Sequence, residues 1–176
     1  ALQGAYNSLQ RLDRLNTSLL LLARIENRQF ANLDQVDLSA LVTDKLHEFE
    51  GLLQEKEIQV AGTVKPATIR MNAALCQVLL NNLFSNALRY SPVKGQLRLS
   101  VEPGSLCFCN TAEGPPLNEQ TLYQRFQRGN RTSESAGLGL ALVKQICDVS
   151  GLVLSYSYSD KEHCFRVSWP DAPVKS

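Results

Sequence analysis

A chain of 176 residues has room for one full domain and an appendage, and 44% hydrophobic with 20% charged residues is the make-up of a protein with an ordinary buried core. With 18 basic against 17 acidic residues the net charge is +1, which gives no electrostatic case for nucleic acid as a partner and no basic run for a membrane surface. The longest apolar stretch, Leu19–Ala23, is far short of a bilayer span, and the start at Ala1 lacks both Met and a charged n-region, so the chain is expected to be an excised piece without a signal peptide.

In chain order, Leu12, Leu15, Leu19 and Leu22 step by three, four and three, with Leu9 and Ile25 extending the stripe. That is the heptad seam of a helix over residues 9–26 that needs a partner, either its own domain or another chain. Residues 27–35 are polar and predict a linker. Asp37 suits an N-cap before a second amphipathic helix carrying Leu38, Leu41, Val42, Leu46, Phe49 and Leu53 and ending near Glu57. Residues 58–63 and 67–71 alternate like short strands around a turn at Val64-Lys65-Pro66. Asn72 can cap a third helix over 73–90, stopped by Ser91-Pro92.

Residues 96–101 and 105–110 predict a hairpin about Glu102-Pro103-Gly104. The stretch 111–136 is irregular apart from a short helical patch at 120–126. A fourth helix starts near Gly137, runs to about Ser150 and closes on Gly151 as its C′ residue. Residues 152–158 and 163–169 form a last hairpin. The fold class is therefore α+β: a two-layer sandwich of a mixed sheet with helices on one face, preceded by a long helix.

Five cysteines stand at 76, 107, 109, 147 and 164. An odd, dispersed set among apolar neighbours predicts buried free thiols in a reducing compartment. Cys107-x-Cys109 is the only close pair, without the second pair or nearby His that a zinc site needs.

The third helix carries the polar stripe. At 100° per residue Asn82, Asn86 and Arg89 fall within about a 60° arc, with Tyr90 beside it and Cys76, Leu80, Leu83, Phe84 and Ala87 opposite. Two carboxamides one turn apart with a cation beyond suit a metal–triphosphate: the amide oxygen is a neutral hard ligand for Mg²⁺, and the guanidinium pairs with phosphate. Taken alone, an Asn on a helix is more often simply solvated. Gly137-Leu138-Gly139-Leu140 at the start of the fourth helix lets backbone amides approach an anion, though Gly-x-Gly before a helix is often only tight packing.

Together the motifs are specific. Asn82–Ser91 (Asn-x-x-x-Asn-Ala-x-Arg-Tyr-Ser), Arg125–Gly129 (Arg-Phe-x-Arg-Gly) and Gly137–Lys144 (Gly-Leu-Gly-Leu-Ala-x-Val-Lys) resemble the asparagine, phenylalanine and second glycine boxes of sensor histidine kinases. The stretch from Arg14 to Glu26 resembles the end of that family's second dimerisation helix, and Val36-Asp37-Leu38 the beginning of its catalytic domain. The resemblance implies residues 1–30 as part of the dimerisation domain, 31–36 as linker and 37–173 as an ATP-binding catalytic domain with a Bergerat-type nucleotide site.

By that resemblance Asn86 is the Mg²⁺ ligand, while Asn82 and Arg89 lie at the phosphates and serve phosphoryl transfer. Tyr90 borders the adenine, Phe126 anchors the base of the ATP lid and Arg128 lies near it. Gly137, Leu138, Gly139 and Leu140 bring the helix start to the phosphates. The partners it implies are ATP, a response-regulator receiver domain and a second copy joined through the leucine seam, in a membrane-anchored sensor of the inner membrane whose catalytic domain is cytoplasmic.

Two departures stand out. The family's first glycine box is Asp-x-Gly-x-Gly, its Asp accepting from the adenine amino group; here the stretch is Asn110-Thr111-Ala112-Glu113-Gly114. Asn110 keeps an acceptor oxygen, a weaker one than a carboxylate, and Ala112 disfavours positive φ, which together read as tuned ATP affinity. The family's acceptor is a His in a His-Glu-x-x-x-Pro segment, and neither His47 nor His163 stands in one, so the phosphoacceptor is expected outside this chain. A non-catalytic scaffold of the same fold that signals without ATP is the alternative. A water-activating Bergerat ATPase is disfavoured, because Asn82 stands where those enzymes place a glutamate base.

Overall fold

The computed structural model describes residues 2–124 and 138–170, and for residues 2–11 and Arg14 it describes the backbone alone. The described elements are α1 (Leu2–Glu26), β1 (Asp34–Asp37), α2 (Leu38–Glu55), β2 (Gln59–Val64), β3 (Thr68–Met71), α3 (Ala73–Tyr90), β4 (Gln96–Glu102), β5 (Ser105–Thr111), α4 (Gly139–Val149), β6 (Val153–Ser159) and β7 (Glu162–Ser168). Five strands form one mixed sheet in the order β2-β4-β5-β7-β6, with β2 parallel to β4 and the other neighbours antiparallel. β1 and β3 pair antiparallel as a separate ribbon.

Local chemistry sets the helix ends. Asp37 accepts from the Ala40 N–H at 3.0 Å, and that bond and the Ser39 hydroxyl hold its carboxyl below the usual range. Asn72 accepts from the N–H groups of Ala74 and Leu75 at 3.0 and 3.1 Å, satisfying two orphan donors of α3. At the far end of α3 the Lys56 ammonium donates to the carbonyls of Leu88 (2.8 Å) and Arg89 (3.2 Å), so the end of α2 caps the end of α3. α4 closes on Gly151 at φ +68°, a conformation glycine adopts without a Cβ penalty.

The core lies between the sheet and the helices. Leu97, Leu99 and Val101 of β4, Leu106 and Phe108 of β5, and Phe165 and Val167 of β7 alternate inward and are at most 2% exposed. They meet Leu80, Leu83, Phe84 and Ala87 of α3; Phe84 lies edge-on to Phe108 at 4.9 Å and stacks on Phe49 of α2 at 5.2 Å. Full burial of each such side chain contributes about 1.5–3 kcal/mol. The opposite sheet face carries Arg98, Ser100, Cys107, Cys109, Cys164 and Arg166 around a depression of about 400 Å³.

The leucine seam finds its partner in part within the chain. Leu22 and Ile25 are buried, each 2% exposed, where α1 packs on α4, and Leu15 and Leu19 pack partly buried against the core, while Leu12 (59%) stays open.

Several expectations are corrected. The polar stretch at 34–37 is strand β1, because its backbone completes the edge offered by β3. The segments on either side of the Lys65–Pro66 turn do not pair with each other: β2 joins β4 and β3 joins β1. The described part of the short helical patch is a run of turns, with Leu122 N–H bonded to Asn118 O and Gln124 N–H to Thr121 O. The cysteines are not all free thiols. Cys109 and Cys164 are opposed across β5 and β7 and form a disulfide, leaving Cys76, Cys107 and Cys147 as free buried thiols.

Candidate functional site

The polar stripe of α3 is displayed as its spacing predicts. Leu80, Leu83, Phe84 and Ala87 are buried against the sheet, which turns Asn82 and Asn86 to a half-buried flank and leaves Arg89 and Tyr90 exposed at the helix end. Asn82 is fixed further: its amide nitrogen donates to Val78 O at 2.8 Å, one turn back, so its oxygen points away from the helix.

That oxygen meets the start of α4. A Cβ placed on Gly139 would stand 3.3 Å from Asn82 Oδ1, tighter than ordinary van der Waals contact. Leu138 is buried and its carbonyl accepts from the Leu142 N–H at 2.9 Å, which opens the helix; Gly139 and Leu140 are half-buried beside it. The N-terminus of α4, with its positive dipole end, therefore lies against the α3 stripe. Among the described residues no side chain caps it. A helix N-terminus of this kind favours anionic groups, since its N–H groups and dipole end both attract negative charge.

Asn110 lies at the end of β5 on the same helix-facing side as Leu106 and Phe108. It is 1% exposed, and its Nδ2 donates to Thr111 O at 3.1 Å. Among the described residues nothing donates to its Oδ1. A buried acceptor left open in this way costs stability unless a ligand's N–H fills it, which fits an exocyclic amino group. Ala112 keeps negative φ and donates its N–H to Lys161 O at 2.8 Å, so replacing a glycine there strains nothing. Gly114, at φ +135°, supplies the turn that follows.

Residues that the sequence alone does not single out hold this segment. The Leu117 N–H donates to Tyr156 Oη at 2.9 Å, and Tyr156 O–H meets His163 Nδ1 at 2.8 Å. Tyr158 O–H donates to Gly114 O at 2.8 Å. His163 stands opposite Asn110 in the register, and burial lowers its pKa. The only signal in the sequence is the alternation Tyr156-x-Tyr158 on the last hairpin. His47 is exposed on α2, 3.8 Å from Glu50. Phe126, Arg128 and Gly137 lie outside the described residues.

The histidine kinase-, DNA gyrase B-, and HSP90-like ATPase family matches residues 71–173. The chain is 33% identical over 174 residues to the sensor histidine kinase HprS of Escherichia coli (strain K12), covering 95% of this chain and 38% of that protein. It is 25% identical over 162 residues to the heme sensor protein HssS of Staphylococcus aureus (strain Newman), covering 89% of this chain and 35% of that one. It thus spans little more than a third of these relatives' length. The solved structure of the Acinetobacter baumannii histidine kinase AdeS superposes with a TM-score of 0.73 at 26% identity, covering 94% of this chain and 81% of that one. The chain belongs to the histidine kinase-, DNA gyrase B-, and HSP90-like ATPase family, and it carries the ATP-binding catalytic domain of a sensor histidine kinase.

Proposed function

We propose that this domain holds ATP·Mg²⁺ between α3 and α4 and presents the γ-phosphate to a histidine of a dimerisation helix lying outside this chain. The observation that carries the reading is the seating of the start of α4 on the α3 stripe, where Gly139 lies so close to Asn82 that a Cβ would stand 3.3 Å from its Oδ1. Asn86, one turn beyond Asn82 on the same flank, is the metal ligand, and Arg89 pairs with phosphate. Mg²⁺ supplies charge neutralisation on the phosphate oxygens. Asn110 offers its open oxygen to the adenine amino group, with Tyr90 at the rim and Leu138, Leu140 and Gly114 lining the approach. By the family resemblance, Phe126, Arg128 and Gly137 are assigned to the ATP lid. Neither asparagine can act as a base, so this chain contributes positioning and electrostatics.

In the whole protein the phosphoryl group passes from that histidine to an aspartate of a response-regulator receiver domain. The exposed Leu12 belongs to the leucine seam of α1 through which two copies pair. Among the described residues no helix is long and apolar enough to cross a membrane. We place the domain on the cytoplasmic side of an inner-membrane sensor by its likeness to named sensor kinases.

Isothermal titration with a non-hydrolysable ATP analogue and Mg²⁺ is the test, followed by phosphorylation of a separate helix pair carrying His-Glu-x-x-x-Pro. Binding that is lost in Asn86→Ala supports the reading. No binding at millimolar nucleotide overturns it in favour of an ATP-independent scaffold.

A further inference from the structure

The end of α3 is closed from outside the helix. Ser91, 2% exposed, turns extended there at ψ 137° and Pro92 follows, so the glycine that commonly finishes a helix is absent. The Ser91 N–H and hydroxyl both go to the Ala87 carbonyl, at 3.0 and 2.7 Å. That leaves the carbonyls of Leu88 and Arg89 to find donors elsewhere. Both are met by one group, the Lys56 ammonium, at 2.8 and 3.2 Å.

We infer that Lys56 is a positioning residue for nucleotide, an inference that rests on the ATP site proposed between α3 and α4. By holding the two carbonyls it fixes the last turn of α3, and with it the direction in which Arg89 and Tyr90 are presented. The bonded oxygens belong to Arg89 itself and to the residue before it. A tilt of that turn therefore moves the guanidinium and the Tyr90 ring together, away from the phosphate and adenine to which they are assigned.

Lys56 is itself well anchored. Its N–H donates to Leu52 O at 3.2 Å and its carbonyl accepts from the Lys94 N–H at 3.1 Å. One residue thus ties the end of α2, the end of α3 and the turn before β4. The ammonium is half-buried at the negative end of the α3 dipole, where a cation is favoured. Burial lowers its pKa, and the carboxylate of Glu113 acts against that. Glu113 belongs to the segment between Asn110 and Gly114, so the charge of Lys56 is felt on both elements assigned to the adenine.

A double-mutant cycle tests this, with the affinity for a non-hydrolysable ATP analogue and Mg²⁺ read by calorimetry well below the melting temperature of every variant. Lys56→Met is expected to weaken binding about tenfold, and Lys56→Arg, which keeps charged donors, to restore most of it. In an Arg89→Gln background Lys56→Met is expected to weaken binding about threefold or less, since the guanidinium it positions is already gone. A residue that only stabilised the fold would lower the melting temperature and give additive losses or none. Unchanged affinity in Lys56→Met, or losses that add in the double variant, overturns the inference and leaves the ATP site standing. No binding by the wild-type chain overturns both. Should Lys56→Met fail to fold, Lys56→Gln, which keeps a neutral donor, is read in the same cycle against the same criteria.

Discussion

Gly139 and Asn82 meet so closely that a Cβ on the glycine would stand 3.3 Å from the asparagine Oδ1. Asn82 cannot swing aside freely, since its amide nitrogen is held on Val78 O. The φ of Gly139 is not in the left-handed region, so alanine there strains no backbone. Gly139→Ala is therefore expected to leave the melting temperature nearly unchanged while weakening ATP-analogue binding about tenfold or more, since about 1.4 kcal/mol of lost fit is tenfold. Calorimetric titration beside a thermal melt separates the two. Equal affinity in the variant would show that the close approach has no part in nucleotide binding.

Asn110 gives the second prediction. Its oxygen is buried and takes no donor among the described residues, so Asn110→Leu is expected to keep or raise stability while losing discrimination of adenine from guanine nucleotides. Asn110→Asp restores the charged acceptor usual in the family. It is expected to tighten ATP binding severalfold, because a charge-assisted bond is roughly twice as strong as a neutral one. It should also destabilise the empty domain, because a lone buried carboxylate is costly. Affinities for ATP and GTP analogues across the three proteins check this; an unchanged ATP-to-GTP ratio in Asn110→Leu refutes it.

These residues were legible in the sequence because helix spacing is local. The arc of Asn82, Asn86 and Arg89 follows from 3.6 residues per turn, and Asp37 and Asn72 declare their helices by side-chain chemistry one turn long. Strand partners are not local. Residues 59–64 alternate as a strand should, but nothing in them says that they run parallel to β4 and not back along β3. The disulfide was hidden for the same reason. Cys109 and Cys164 are 55 residues apart and meet only because β5 and β7 are neighbours. Tyr156 likewise finds Leu117 only through the fold.

The Tyr156–His163 bond makes the Asn110 side of the candidate site sensitive to acid. Tyr156 Oη accepts from the Leu117 N–H, so its one proton goes to His163 Nδ1, which must be proton-free. Burial lowers the folded pKa of His163 below its ordinary 6.5. The unfolded chain then binds the proton first as pH falls, so this contribution to stability is full above about pH 6.5 and is lost below it. Thermal melts at about pH 7.5 and about pH 5.5 should show a drop that His163→Gln reduces. Tyr156→Phe, which strands the Leu117 N–H, is expected to cost about 1 kcal/mol and to weaken nucleotide binding. A pH dependence identical in wild type and His163→Gln would rule this residue out.

The Cys109–Cys164 bridge locks the register at the point where the site needs it. Its neighbours in the ladder are Phe108 opposite Phe165 on one side and Asn110 opposite His163 on the other. The link closes a loop of 55 residues, so by the chain-entropy argument reduction is expected to cost about 2–4 kcal/mol of stability. For a chain of this size that corresponds to a fall in melting temperature on the order of 10 °C. Nucleotide affinity at room temperature should fall much less, since the six other registered pairs of the β5–β7 ladder remain to hold Asn110 in place. Melts and ATP-analogue titrations with and without a dithiol distinguish these effects. A melting temperature indifferent to reduction would mean that the ladder alone sets the register.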